Sequence, residues 1–524
     1  MFLLRAPARA FVALTRSADR ATAFSGIVSL AKPLSVGQGS GDDVKTRQLV
    51  LVFILAVALL LRGIGAADSL WLDEIWSLNI ALGLPSAAAP SFGAVLRQSL
   101  AENCHLLTAT WMFLVGDTAH GWIYRLPSLL LSVLSLGLAT RLGQELEGPR
   151  GRWLYALVFG CSYFLIEYGT EARGYSGVIF HSLVGFAILQ RELALKSRRR
   201  FWNWIFGVNA VLGLLSHPVF LAFLAGAGAW SVFRIAAETR FGDRRFLVAS
   251  FERFALPALM GVAIALSGVS LQTQASGVDA SLSDVTVDFL HYGFGAPLWS
   301  LVPFTTALVL FVLVARAFQS TDDDERSSLR LQAFLAAAPF LMLTLSSSDV
   351  LYARFLAPAL PFLYMLVIRG VLRAYDHVES FRSPAKLLLG LYVFGQGALL
   401  VPFIEDGRGH YLAALQQIAA SDPSPSIRVG VDHPFRTGTL IDYFSAKLTP
   451  PRQFEKIRLK FVSASTRPGW LLLHRVEDDE WTPQHTLERP GIRYELQRSF
   501  LKFGPSGCHW YLYRRTDSDA VERQ

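Results

Sequence analysis

The sequence predicts a polytopic α-helical membrane protein with about eleven transmembrane helices, interfacial helices in a long first outer loop, and a small extracytoplasmic α/β domain at the C-terminus. Three observations carry this. Of 524 residues, 52% are hydrophobic and only 17% charged, against roughly 25% charged in an ordinary soluble domain. Apolar stretches of membrane-crossing length recur from residue 48 to residue 403. From about Ile404 the composition turns mixed, with 17 Lys and Arg, 15 Asp and Glu, and shorter apolar runs. The mean hydropathy of +0.37 is more than a soluble fold of this length hides in its core.

Residues 1–47 hold seven cations and end in the run SVGQGSGDD, which reads as a flexible cytoplasmic leader. A cleaved signal peptide is disfavoured because MFLLRAPARAFVAL has no continuous apolar core before its arginines. The transmembrane domain, 48–403, has candidate spans beginning near Leu49, Ile123, Trp153, Arg173, Phe201, Pro218, Phe254, Trp299, Leu331, Tyr352 and Leu387. The apolar stretch Asn103 to Gly116 is short for a crossing. If it lies in the interface, the inner segments carry 27 Lys and Arg and the outer ones five: Arg62, Arg97, Arg125, Arg173 and Arg354. Letting it cross would put KSRRR (196–200) outside and break the positive-inside bias. The topology that follows has a cytoplasmic N-terminus, outer loops at about 66–122 and 272–297, and an external C-terminus, in the plasma (inner) membrane. The net charge of +8 is then membrane topology, and nucleic acid is excluded as a partner.

In the C-terminal domain, 404–524, the segments 427–432, 469–475, 493–500 and 508–515 read as strands, and 410–420 and 434–447 as helices. There is no Gly-rich phosphate loop. The three cysteines, Cys104, Cys161 and Cys508, make neither a disulfide scaffold nor a zinc spacing. Cys104 and Cys508 share the outer compartment, where a disulfide is chemically allowed but not called for by the spacing.

Ionisable side chains near a membrane core are costly, so their placement is informative. Asp73 and Glu74 follow the first span in SLWLDEIWS; Glu102 and His105 open the interfacial helix; Arg125 heads the second span. Glu171 and Arg173 lie between spans three and four, His217 between five and six, and Arg354 at the head of span ten. All fall at one membrane face. Each has an ordinary alternative: a solvated helix start for the acids, snorkelling anchors for the arginines, hydrogen-bonded structural roles for the histidines. Their coincidence on one face is what points to chemistry, because forked guanidinium donors suit phosphate. The acidic runs TDDDER (321–326) and EDDE (477–480) read as a solvated cytoplasmic loop and a surface turn.

The ordered set WLDEIWS, ENCHLLTATWMFLVG, YRLPSLL, EYGTEARGYS, LSHPVF and RFLAPALP resembles the GT-C membrane glycosyltransferases, in the branch of protein O-mannosyltransferases and lipid A aminoarabinose transferases. The resemblance covers roughly residues 48–370. It implies an inverting transfer of a monosaccharide from a polyprenyl-phosphate donor to an extracytoplasmic acceptor hydroxyl on a glycan, lipid or protein. It also implies an acidic pair at Asp73 and Glu74 as catalytic residues; one positioned carboxylate can take the acceptor's proton, and Asp73 is our choice for that base, with Glu74 as the alternative. Arg125, Glu171, Arg173, Arg354, His105 and His217 would then bind the donor's phosphate and sugar. This chain departs from the family at Cys104-His105-Leu106-Leu107, where two prolines usually follow the histidine. No cofactor is required, and no spacing forces a metal, although Glu171 could take a divalent ion. A transporter or lipid-linked-sugar flippase predicts charges through the midplane and broken helices in related halves, and neither is present. A non-catalytic scaffold in envelope assembly is the third reading.

Overall fold

The computed structural model describes residues 41–84, 90–102, 105–118, 120–195, 200–238, 281–298, 302–319, 322–345, 351–463, 465–476 and 482–516. Between 239 and 280 it describes only 248, 251, 254, 255 and 259. The predicted seventh span, most of the leader, Cys104 and EDDE therefore lie outside the described residues. Residues 54–524 form one compact unit, and the site lies wholly within it.

The chain is a multi-pass membrane protein, mostly helical. The helices are α1 Gly41–Ala67, α2 Leu72–Leu82, α3 Phe92–Ala101, α4 Leu106–Val115, α5 Gly121–Cys161, α6 Tyr163–Gly169, α7 Tyr175–Leu195, α8 Arg200–Ser216, α9 Leu221–Glu238, α10 Leu282–Phe294, α11 Val302–Ala317, α12 Asp323–Leu345, α13 Leu360–His377, α14 Arg382–Asp406 and α15 Tyr411–Ser421. Among the described residues, α1, α5, α12 and the run containing α14 are long and apolar enough to cross a membrane, and α4, α8, α9 and α11 are shorter apolar helices. That does not establish the expected count of eleven.

Boundaries differ from expectation for physical reasons. Helix α1 starts at Gly41, so the last residues of the expected leader are helical. The second and third expected spans are two arms of one helical run, broken where Gly148 takes φ 69° just before Pro149. The tenth begins at Leu360, because residues 353–356 form a 3₁₀ turn ahead of it that carries Arg354. TDDDER is less a solvated loop than a helix start: Asp323, Asp324 and Glu325 occupy the first turn of α12, where the macrodipole favours acids. Glu325 also pairs with Arg369 and, at 2.7 Å, with Arg373.

The C-terminal sheet holds β1 Ser426–Val431, β2 Gln453–Arg458, β3 Trp470–Arg475, β4 Thr486–Arg489, β5 Ile492–Phe500 and β6 His509–Arg515, in the order β2-β1-β3-β6-β5-β4, with α16 Arg436–Ser445 following β1. Strands β1, β2 and β3 run parallel and the rest antiparallel. The two strands missing from the sequence reading, β2 and β4, are the sheet's edges, where water on one side removes the need for an apolar pattern. The four strands read from sequence are the interior ones. Cys508 is a free, buried thiol.

Two cores position the site. An aromatic-rich core among the apolar helices gathers Phe164, Tyr168, Phe186, Phe223, Phe289 and Phe362. A second joins Trp71, Ile75 and Leu78 of the α2 segment to Leu415, Val429, Leu440 and Trp510 of the sheet domain. Ile75 and Leu78 are at most 1% exposed, each worth about 1.5–3 kcal/mol of transfer free energy. Helix α2 is thereby held between the apolar helices and the sheet domain.

Candidate active site

Helix α2 is short, and its ends are tightly specified. Trp71 enters extended; Asp73 and Glu74 occupy the first turn; Gly83 closes the helix in the left-handed region at φ 69°. Glu74, at the third helical position, accepts from the Trp71 backbone N–H at 3.1 Å. The face that packs inward carries Glu74, Ile75, Ser77 and Leu78, which leaves Asp73, Trp76 and Asn79 half-buried along the other face.

Adjacent in sequence, Asp73 and Glu74 are therefore separated in environment. Glu74 is fully buried. Arg125 grips it with two bonds, Nε to Oε1 at 2.7 Å and Nη2 to Oε2 at 2.5 Å, and the Ala172 N–H donates to Oε1 at 2.6 Å. Burial opposes charge on Glu74, but Arg125, through its charge and its hydrogen bonds, prevails and holds the carboxyl below its ordinary value. Arg125 is itself fully buried and donates onward to the Asp68 and Ser69 carbonyls at 2.6 and 2.8 Å. The pair fastens the α1–α2 connection to α5 and to the turn before Arg173.

Asp73 is 32% exposed at its side chain. Its Oδ2 lies 2.8 Å from Arg173 Nη1 and 3.7 Å from Arg354 Nη1. The Arg173 contact is a charge contact without hydrogen-bond alignment. Arg173 is steadied from three other directions: its Nε donates to His105 Nε2 at 2.8 Å, and its guanidinium lies 5.4 Å from the Trp71 ring and 5.2 Å from Tyr175. Arg354 stacks over Tyr352 at 4.1 Å. The rings of His105 and His217 stand 4.7 Å apart. Burial, and then the nearby arginines, push both imidazoles well below their ordinary pKa. Both are therefore neutral at pH 7, and His105 accepts on Nε2 from Arg173.

Glu171 is not beside Arg173. It is fully buried, and its Oε1 accepts from Arg408 Nε at 3.3 Å, while Oε2 has no partner. Arg408, absent from the sequence reading, also donates to the Gly65 and Glu167 carbonyls at 3.1 and 2.9 Å, and its own N–H donates to Asp68 Oδ2 at 2.8 Å. The available signal was an arginine between two glycines just past the last span, in DGRGH. Arg62, counted among the cations of the outer segments, is buried and donates to Ser132 Oγ at 2.9 Å and to three backbone carbonyls.

The eight expected residues thus fall into two layers. Asp73, part-exposed, stands against the nearly buried Arg173 and Arg354, with His105 and His217 behind them. Beneath lie Glu74 with Arg125 and Glu171 with Arg408, closed to solvent. Among the described residues, no group of three His, Cys, Asp or Glu side chains is placed to hold a metal ion.

Two crystal structures of one protein, ArnT, align with this chain over most of its length. The crystal structure of ArnT from Cupriavidus metallidurans in the apo state aligns with a TM-score of 0.47 and 14% identity, over 81% of this chain and 93% of that one. The structure of the same protein bound to undecaprenyl phosphate aligns at 0.43 and 14%, over 83% and 93%. Overlap at that level does not assign the chain to a family. No family model and no curated protein matches it.

Proposed function

We propose that the protein is an integral-membrane inverting glycosyltransferase that moves a monosaccharide from a polyprenyl-phosphate donor to an acceptor hydroxyl at the extracytoplasmic face. One observation carries the reading: a solvent-reachable carboxylate, Asp73, bracketed by two guanidinium groups. Asp73 lies in charge contact with both arginines without meeting their hydrogen-bonding capacity. A lipid phosphate entering beside them offers a better fork-shaped partner, takes over their charge, and frees Asp73 for the acceptor.

The acceptor O–H then attacks the anomeric carbon. The new C–O bond forms as the bond to the lipid phosphate oxygen breaks, the proton passes to Asp73, and the phosphate departs as an anion held by Arg173 and Arg354. Neutral His105 keeps Arg173 in orientation without adding charge. Glu74, Arg125 and Glu171, all closed to solvent, act in this reading as supports beneath Asp73 and its two arginines.

The test uses the full chain in proteoliposomes supplied with polyprenyl-phosphate sugars and envelope glycans extracted from membranes, reading release of free polyprenyl phosphate by mass spectrometry. Asp73→Asn should lower turnover by about 10²- to 10⁴-fold, the range for a lost general base, with unfolding unchanged. Wild-type turnover in that variant removes the mechanism.

A further inference from the structure

The half-buried face of α2 leads from Asp73 toward the sheet domain. At spacings of three residues it carries Asp73, Trp76 and Asn79, each beside the next on the helix surface. The Trp76 ring meets Phe435 of the β1–α16 turn edge to face, with centroids 4.3 Å apart and an interplanar angle of 69°. The ring is thus turned to the sheet domain. Phe435 nevertheless stays 44% exposed, so the aromatic corner is not closed.

Beside it stands a cluster that the mechanism does not use. Asp432 and His474 sit at the C-terminal ends of the parallel strands β1 and β3, the end where open α/β sheets bind ligands. Asp432 accepts from the His474 ring and backbone N–H, both at 3.0 Å, from Arg475 at 3.1 Å and from the His433 N–H at 2.8 Å. His433 lies 5.1 Å from the His474 ring and 6.5 Å from that of Phe435. Its Nδ1 accepts from the Arg436 N–H at 3.1 Å, so the neutral ring carries its proton on Nε2 as a donor.

We infer that the Trp76–Phe435 corner, rimmed by His433 and the Asp432–His474–Arg475 cluster, is the acceptor subsite, and that the acceptor it takes is a pyranose sugar. A pyranose offers an apolar C–H face to lie on an aromatic ring and a rim of hydroxyls for mixed donors and acceptors. A serine peptide or a phosphocholine headgroup has no such face. The inference rests on the proposed function in that Asp73, one helical turn from Trp76, is the base that receives the acceptor's proton.

Saturation-transfer difference NMR on the full chain in nanodiscs tests it without turnover. The probes are methyl α-D-glucopyranoside, methyl α-D-mannopyranoside and maltotriose, against a serine tripeptide and glycerophosphocholine. Saturation is expected on the pyranose ring C–H protons and on neither control. Trp76→Ala and Phe435→Ala should each weaken binding about 3- to 10-fold, the size of one aromatic contact, while Trp76→Phe and Asp73→Asn retain it. Phe435→Ala alters an exposed ring, so it reports even if Trp76→Ala fails to fold. No saturation with any sugar, saturation of the tripeptide or headgroup instead, or undiminished sugar binding in Phe435→Ala overturns the inference. Because Asp73→Asn keeps its sugar signal whether or not Asp73 is the base, loss of the transfer mechanism is read separately, in the turnover assay.

Discussion

Glu74→Ala should destabilise the protein severely, and neighbouring Asp73→Asn hardly at all. Glu74 is fully buried and accepts four hydrogen bonds, two of them from Arg125 at 2.7 and 2.5 Å. Removing the carboxylate leaves the Arg125 guanidinium buried without its counter-charge, a cost of about 3–5 kcal/mol for breaking one side of a buried pair. Asp73, with 32% of its side chain exposed, belongs to the class whose removal costs about 0–1 kcal/mol. Replacing both members, as in Glu74→Leu with Arg125→Met, should cost less than the sum of the singles, because no unpaired charge remains. Equilibrium unfolding of the detergent-solubilised full chain by SDS titration, followed by tryptophan fluorescence, reads Glu74→Ala, Asp73→Asn, the double variant and its two singles. The reasoning is refuted if Glu74→Ala unfolds with the wild type, or if the double variant loses as much as the two singles together.

Three further outcomes follow from the same geometry. His105 and His217 are held below their ordinary pKa, so the unfolded chain takes up protons that the folded one refuses; stability should fall as pH drops below about 6.5. His105→Gln with His217→Gln should flatten part of that slope in unfolding curves between pH 7 and 5, and an unchanged slope would contradict it. Burial opposes charge on Asp432, but the hydrogen bond and charge of His474, and then Arg475, hold it below the ordinary carboxylate value. Its contribution is therefore present at neutral pH and lost as pH falls through the folded value; Asp432→Asn should destabilise by about 1–3 kcal/mol at pH 7, with the gap to wild type closing in acid. Gly174→Ala would place a methyl group into the Ser216 carbonyl and 3.0 Å from His105 Nδ1. Movement of that backbone should release Arg173 from His105, lowering turnover and stability together; a fully active Gly174→Ala enzyme would show that the loop yields freely.

Much of the fold was legible because its signals are local or additive. Apolar length marks a crossing helix whatever it packs against, and each interior strand must bury apolar residues: β3 and β6 almost throughout, β1 at Ile427, Val429 and Val431, and β5 at Ile492, Tyr494 and Phe500. Edge strands β2 and β4 carry no such requirement, and QFEKIR and TLER read as ordinary polar chain. Within the site, the residue types and their common face were visible as clustered charges where charge is costly. Which of them are accessible was not. Asp73 and Glu74 differ by one position on a helix, about 100° of rotation, and that rotation is what turns one toward solvent and the other into the protein.

The sequence by itself determined that this is a multi-pass membrane protein with acids and arginines gathered near α2, since hydrophobic length and the cost of charge in lipid act residue by residue. Tertiary structure decided the pairings: Arg125 with Glu74, Arg408 with Glu171, and Arg173 and Arg354 with Asp73. Those depend on which helix faces meet and how far apart they stand, and Coulombic and hydrogen-bond energies change steeply over the one or two ångströms that only packing sets.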